Sequence, residues 1–255
     1  AFFEAIEQAG FSRTADVNGF CQEGFAAFDR NIHRGRRLSA ARAYLHPILA
    51  RRNLRVTCRA QAHRILFEGN RAVGVEYRHR RKLRRIFARE VICCGGAINS
   101  PQLLQLSGIG PGDLLREMGI DVQHDLAGVG AHLRDHFNTY LSFLCAEPVT
   151  MNDLAISLPR RLLAGAQYAL FRKGPLTSTA ICAGAFIRSD PLLERPDIQI
   201  NMFAWSAESR TLERVNPHPF SAFSFSPVHL RPDCEGSVRI KSPDPLAPPA
   251  IRYEF

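Results

Sequence analysis

The amino-acid sequence predicts a mixed architecture, α/β and α+β: part of a Rossmann-like domain, then part of a mostly antiparallel sheet with helices. Two observations carry this reading. Between Glu90 and Pro111 an apolar β-type run, Val91–Cys94, leads directly into Gly95, Gly96 and a helix start, the order a nucleotide-contacting fold uses. Beyond His136, strand-like segments follow one another with few helices between them, which favours antiparallel pairing.

Taken in chain order, AFFEAIEQAG reads as an amphipathic helix stopped by Gly10. A glycine-punctuated loop runs to Arg37, and Leu38, Tyr44, Leu45 and Leu49 give helical spacing to a helix over 39–50. Leu54–Thr57, Ala62–Phe67, Ala72–Tyr77 and Arg85–Cys94 read as strands, with a hairpin turn at Glu68-Gly69-Asn70 and a solvated turn in the basic run 78–85. Ser100 is placed to cap a helix that begins at Pro101, because a serine oxygen accepts an orphan amide and proline fits a first turn. Leu103, Leu104 and Leu106 form its apolar face, and Gly108 and Gly110 end it. A second helix over 113–118 stops at Gly119, followed by a short strand over 121–124. Later come a strand over 137–146, a helix over 158–171, and strands over 181–187, 197–203, 220–229 and 237–241.

The 255 residues allow one or two domains, and 45% hydrophobic content with mixed charge fits an ordered protein. The longest nearly apolar stretch, 180–187, is far short of the roughly 20 residues a membrane-spanning helix needs. Glu4 and Glu7 sit where a signal peptide would be basic, so a cytoplasmic location is expected. The net charge of +9 raises a nucleic-acid alternative, but the densest basic run falls on a predicted turn, so no nucleic-acid partner is expected. Seven cysteines without Cys-x-x-Cys spacing argue against a disulfide framework or a zinc ribbon. Cys93 and Cys94 read as small buried strand residues. His132 and His136 have helical i, i+4 spacing, but the glycines before them favour a loop, and no metal site is expected. No Gly-x-Ser-x-Gly elbow occurs, so a serine hydrolase is not supported.

The residues Gly96-Ala97, Ser100-Pro101, Leu103-Leu104 and Ser107-Gly108-Ile109-Gly110 resemble the second signature of the glucose-methanol-choline (GMC) flavoprotein oxidoreductases. Further matches arrive in that family's order. DVNGFCQEGF (16–25) is similar to its Asp-x-Asn-Gly stretch, and RRLSAARAYL (36–45) to its Arg-x-Ser helix. AGVGAHLRDH (127–136) is similar to its Gly-Val-Gly-x-Asn-Leu-Gln-Asp-His element, with His132 in place of Asn and Arg134 in place of Gln. LRPDCEGSVRIKSPDP (230–245) resembles a strand pair late in its substrate domain.

The resemblance implies FAD as cofactor and oxidation of an alcohol CH–OH donor, a primary alcohol or polyol, with hydride passing to the flavin. It leaves the electron acceptor open. It divides the chain into an entry segment of the substrate domain (1–36), a partial FAD-binding domain (37–136) and a partial substrate domain (137–255). Implied cofactor contacts are Ala62, whose backbone would hold the adenine edge, and Gly95, Gly96 and Ser100 at a helix N-terminus that favours phosphate. A Gly-x-Gly-x-x-Gly turn for the pyrophosphate does not occur, nor does the His-x-x-Gly-Thr string of the family's catalytic base. No catalytic residue is therefore assigned, and the chain is expected to be an internal fragment, inactive alone and weak for FAD. The alternative within the family is a flavin-containing hydroxynitrile lyase.

Overall fold

The computed structural model describes residues 2–179, 181–210 and 214–253. The chain forms two compact units, each assembled from two separate stretches: the residues up to Arg51 with His136–Arg231, and Arg52–Asp135 with the residues from Pro232 on. By these contacts residues 37–51 go with the first unit and those from Pro232 on with the second.

The first unit opens with α1 (Phe2–Gln8), β1 (Gly24–Ala27) and a small hairpin, β2 (Ile32–His33) with β3 (Arg36–Arg37). The second contributes β4 (Ala60–Glu68), β5 (Arg71–His79), β6 (Lys82–Phe87), α2 (Gly96–Leu106), β7 (Ile109–Gly110), α3 (Gly112–Glu117) and β8 (His124–Asp125). The chain returns to the first unit with β9 (Leu141–Leu144), α4 (Met151–Ile156), α5 (Leu158–Phe171), β10 (Ile181–Ile187), β11 (Ile198–Phe203), β12 (Ala207–Arg210), β13 (Val215–Pro217) and β14 (Ala222–His229). It closes in the second unit with the hairpin β15 (Ser237–Arg239) and β16 (Ala250–Arg252).

In the first unit a five-stranded antiparallel sheet has the order β1-β10-β11-β14-β9. Along β14 the alternating residues Ala222, Ser224, Ser226 and Val228 are buried, the period of two expected of a strand with one covered face. Gly184 at the centre of β10 is required by crowding, because a Cβ there would lie 2.1 Å from the Ile200 carbonyl oxygen and 2.5 Å from the Phe28 ring. The N-terminus of α4 is closed by Asp153, whose carboxylate accepts from the Thr150 amide at 2.8 Å and the Ser221 hydroxyl at 2.8 Å.

In the second unit β4, β5 and β6 form an antiparallel meander. Its turns fall where sequence predicts, at Gly69-Asn70 and at Arg80-Arg81, the two arginines taking φ values of 50° and 65° as a tight primed turn demands. Leu106, Leu115 and Ile240 form the apolar core, which ties α2 and α3 to the end of the chain. Gln105, fully buried, stitches the same parts: its amide nitrogen donates to the Val129 and Val238 carbonyls at 3.2 and 2.9 Å, and its oxygen accepts from the Ile240 amide at 2.9 Å.

Five sequence readings are corrected. The helix expected over 39–50 is a five-residue π turn, Ala41–Leu45, followed by a 3-10 turn, His46–Ile48, the change falling where Pro47 has no amide to donate. Residues 54–57 and 88–95 form no strand, since no neighbouring segment among the described residues offers them a ladder. Cys93 and Cys94 are exposed rather than buried, and Ile92 is 77% exposed. Helix α2 begins at Gly96 with Gly95 as its N-cap, so Ser100 and Pro101 lie inside it. The strand expected over 137–146 shortens to β9. The strands over 181–187 and the helix over 158–171 appear as read.

Candidate functional site

Strand β4 is the outer strand of its meander, and α2 packs along it. Between the start of β4 and the start of α2 lies a cavity of about 280 Å³. Ala62 and Gly95 both line it, with Val91–Cys94, Asn99 and Leu103 completing much of the wall. Two residues read from sequence as cofactor contacts thus meet in one cavity, although 33 positions apart in the chain (95 − 62). Gly96 and Ser100 do not line it.

The glycines do different things. A Cβ on Gly95 would come within 2.9 Å of the Ser100 amide nitrogen and 3.1 Å of Asn99, so only glycine lets the first turn of α2 close this tightly. Gly96 has φ +78° and nothing within 4 Å of where a Cβ would sit, leaving its backbone approachable. Ser100 enters through its backbone, packed against Gly95, rather than as the expected cap. The first amides of an eleven-residue helix have no acceptor within it and present partial positive charge. The start of α2 is therefore suited to an anionic group, and the cavity's Val75, Leu103 and Leu106 to an apolar one.

Other groups in the second unit escape sequence reading because burial and strand register decide what each one meets. A second cavity of about 620 Å³ is lined by His63, Glu76, Arg85, Ser107 and Gln123. Among the described residues the ring nitrogen Nε2 of His63 is buried without a hydrogen-bond partner. Glu76, on the middle strand, is clamped by Arg64 Nε at 3.0 Å and Arg85 Nε at 2.8 Å. Burial pushes the Glu76 carboxyl up, but the hydrogen bonds and charges of Arg85 and Arg64 outweigh it and hold it below its ordinary value.

In the loop after α3, residues 131–138 form no helix, so His132 and His136 do not share a helical face. His132 has φ +58°, the left-handed conformation that asparagine tolerates better, and with Arg134 it contacts the Glu235 carboxylate. Hydrogen bonds from Arg134 and then His132 lower the Glu235 carboxyl below its usual range, and the same contact raises Arg134. Among the described residues, no group of three or more His, Cys, Asp or Glu side chains is arranged to hold a metal ion. Among them, too, no helix is long and apolar enough to cross a membrane.

The first unit carries its own open cavity of about 1020 Å³ beside the sheet, with Arg30, Arg37, Tyr168, Gln199 and Asn201 in its wall. The Gln199 amide donates to Asn201 Oδ1 at 2.8 Å, fixing the pair on one face of β11. His229, at the end of β14, is exposed.

Comparison with known proteins places these features in context. Residues 1–138 match the family model described as GMC oxidoreductase. The whole chain is 40% identical over 258 aligned positions to oxygen-dependent choline dehydrogenases of Staphylococcus aureus strains MSSA476 and JH9, spanning 44% of their length. Among solved structures, pyridoxine 4-oxidase from Mesorbium loti aligns with all of the chain at a TM-score of 0.80 and 26% identity, the chain covering 46% of it. Formate oxidase from Aspergillus oryzae aligns with 99% of the chain at a TM-score of 0.84 and 22% identity, a likeness of fold, with 48% of it covered.

Proposed function

We propose that this chain, which belongs to the GMC oxidoreductase family, forms part of the FAD site and part of the substrate side of an enzyme that oxidises an alcohol CH–OH donor. The family's cofactor is FAD, which when bound supplies a two-electron acceptor. The chain spans 44% of the length of the choline dehydrogenases it matches.

The observation that carries the proposal is the meeting of Ala62 and Gly95 on one cavity at the start of α2. In this reading the backbone of the outer strand at Ala62 hydrogen-bonds the edge of the adenine. The apolar wall takes the ring faces, and Gly95, Gly96 and the backbone near Ser100 let the ribose and phosphate approach the helix N-terminus. About 280 Å³ fits one end of the dinucleotide and not its whole length. No residue of this chain is assigned as the base that removes the hydroxyl proton. The substrate is a primary alcohol or polyol, and the polar pair Gln199 and Asn201 beside the sheet of the first unit is suited to orienting hydroxyl groups.

Titrating ADP to millimolar concentration and following amide resonances by NMR tests the cofactor half. Shifts at Ala62, Gly95 and Gly96 are expected, and Gly95→Val is expected to remove them. Shifts confined elsewhere, or unchanged by that substitution, would overturn the assignment. For the reaction class, alcohol added anaerobically to the flavin-loaded enzyme that carries this chain is expected to bleach the oxidised flavin absorbance, and its persistence would count against alcohol oxidation.

A further inference from the structure

The cavity beside the sheet of the first unit has a charge of definite sign. Asp29 is the one acidic residue in its wall, against Arg30 and Arg37. Among the described residues neither arginine is ion-paired, and Arg30 Nη1 donates to the Ser178 hydroxyl at 3.4 Å. The smaller cavity that shares Arg30 adds Arg172 and Lys173, and the one that shares Arg37 adds Arg36 and Arg42, neither with a further acid. Like charges gathered on a concave surface draw anions and repel cations. The aromatic rings do not reverse this. A quaternary ammonium has no N–H to donate and is held by ring faces and carboxylates. Here a face of Tyr168 already carries the Arg172 guanidinium, 4.8 Å from the ring centroid, and Phe28 packs against Phe186 with centroids 6.2 Å apart. Gln199 spends its amide nitrogen on Asn201 Oδ1, which leaves the Gln199 carbonyl oxygen to accept and the Asn201 amide nitrogen to donate.

We propose that the alcohol taken by this cavity is an anion: a CH–OH compound that also bears a carboxylate, such as a sugar acid or another hydroxy acid, and not a quaternary ammonium alcohol. This rests on the reading of the cavity as the substrate side of an alcohol-oxidising enzyme, and narrows it. Arg30 and Arg37 take the carboxylate, since each guanidinium presents a planar fork of donors that matches its two oxygens. Gln199 and Asn201 take the hydroxyl groups. The carboxylate has no part in the oxidation, in which the CH–OH carbon gives a hydride to the flavin and its hydroxyl gives up a proton, leaving a carbonyl as with a neutral alcohol. The sign of the wall sets this chain apart from the choline dehydrogenases it matches, because choline is a quaternary ammonium alcohol.

The test uses the flavin-loaded enzyme that carries this chain and three small primary alcohols that differ in charge: glycerate, glycerol and choline. Each is mixed with the enzyme anaerobically, and the rate of flavin bleaching is followed against alcohol concentration, which separates binding from the chemical step. The expected order of efficiency is glycerate, then glycerol, then choline, with the glycerate value falling as salt is added and the glycerol value holding. Arg30→Gln and Arg37→Gln each replace an exposed side chain and are expected to lower the glycerate-to-glycerol efficiency ratio about tenfold, through binding rather than the bleaching rate constant. Choline bleaching the flavin as efficiently as glycerate, or a ratio that neither substitution lowers, would overturn the inference and leave alcohol oxidation standing. Oxidised flavin persisting with all three alcohols would overturn the alcohol reading, and the inference with it.

Discussion

Gln105 shows how one polar side chain can hold a small unit together. It is fully buried and engages three backbone groups, from Val129, Val238 and Ile240. Leucine at this position would match its size and leave those groups without partners in a dry interior, at about 1–3 kcal/mol for an unmet buried group. Gln105→Leu is therefore expected to lower the unfolding free energy by roughly 2–4 kcal/mol, read from the urea midpoint. Glu76 sets a pH dependence instead. Its folded value lies below its ordinary value of 4.5, so the clamp contributes fully above that pH and its contribution is lost as pH falls below it. Glu76→Gln is expected to cost roughly 1–2 kcal/mol at neutral pH, modest because both arginines are half exposed, and to flatten the fall in stability below pH 4.5. Denaturant midpoints measured across pH for both proteins check this. The strand that carries Ala62 and the glycine before α2 were legible as local signals, whereas Ala62 itself was singled out only by the family resemblance. Gln105 and Glu76 were not legible, since what makes each of them matter is a set of partners that composition does not reveal.

Elements were readable to the extent that their own turns and caps define them. The meander β4–β6 follows from Gly69-Asn70 and the arginine turn, and α5 from its helical spacing with Pro159 in its first turn. The stretch over 91–94 has strand composition, but a strand exists only with a neighbour to bond, and composition does not supply one. Helix α2 extends five residues before its proline, and a proline within a helix costs one amide hydrogen bond, so the Ser-Pro pair misleads as a start signal. Close approach was equally invisible. Gly184 reads as one more small residue of β10, yet its Cα faces the Ile200 carbonyl and the Phe28 ring. Gly184→Ala is expected to destabilise the five-stranded sheet by roughly 1–3 kcal/mol, through displaced backbone rather than lost contacts. Faster hydrogen exchange at the β10 and β11 amides, compared with wild type, is the measurement.

At the scale of the whole molecule the fold class was legible, and both compact units are discontinuous in sequence, which no local signal announces. The last stretch, read as part of the substrate domain, instead gives Ile240 and the Val238 carbonyl to the core around α2. Removing the residues from Pro232 on is expected to unprotect the α2 amides to hydrogen exchange while leaving β10, β11 and β14 protected. Equal loss in both sets would contradict the two-unit description. The pairing of β1 with β10 carries a different consequence. Gly24 lies opposite Phe186, so β1 leaves the ribosome about 160 residues before its partner does. At roughly 5–20 residues per second that is a wait of about 8 to 30 s. Throughout it the second unit's meander, whose strands are separated by two-residue turns, is already able to form. A nascent chain in this interval holds Phe25 without the sheet that buries it in the folded unit.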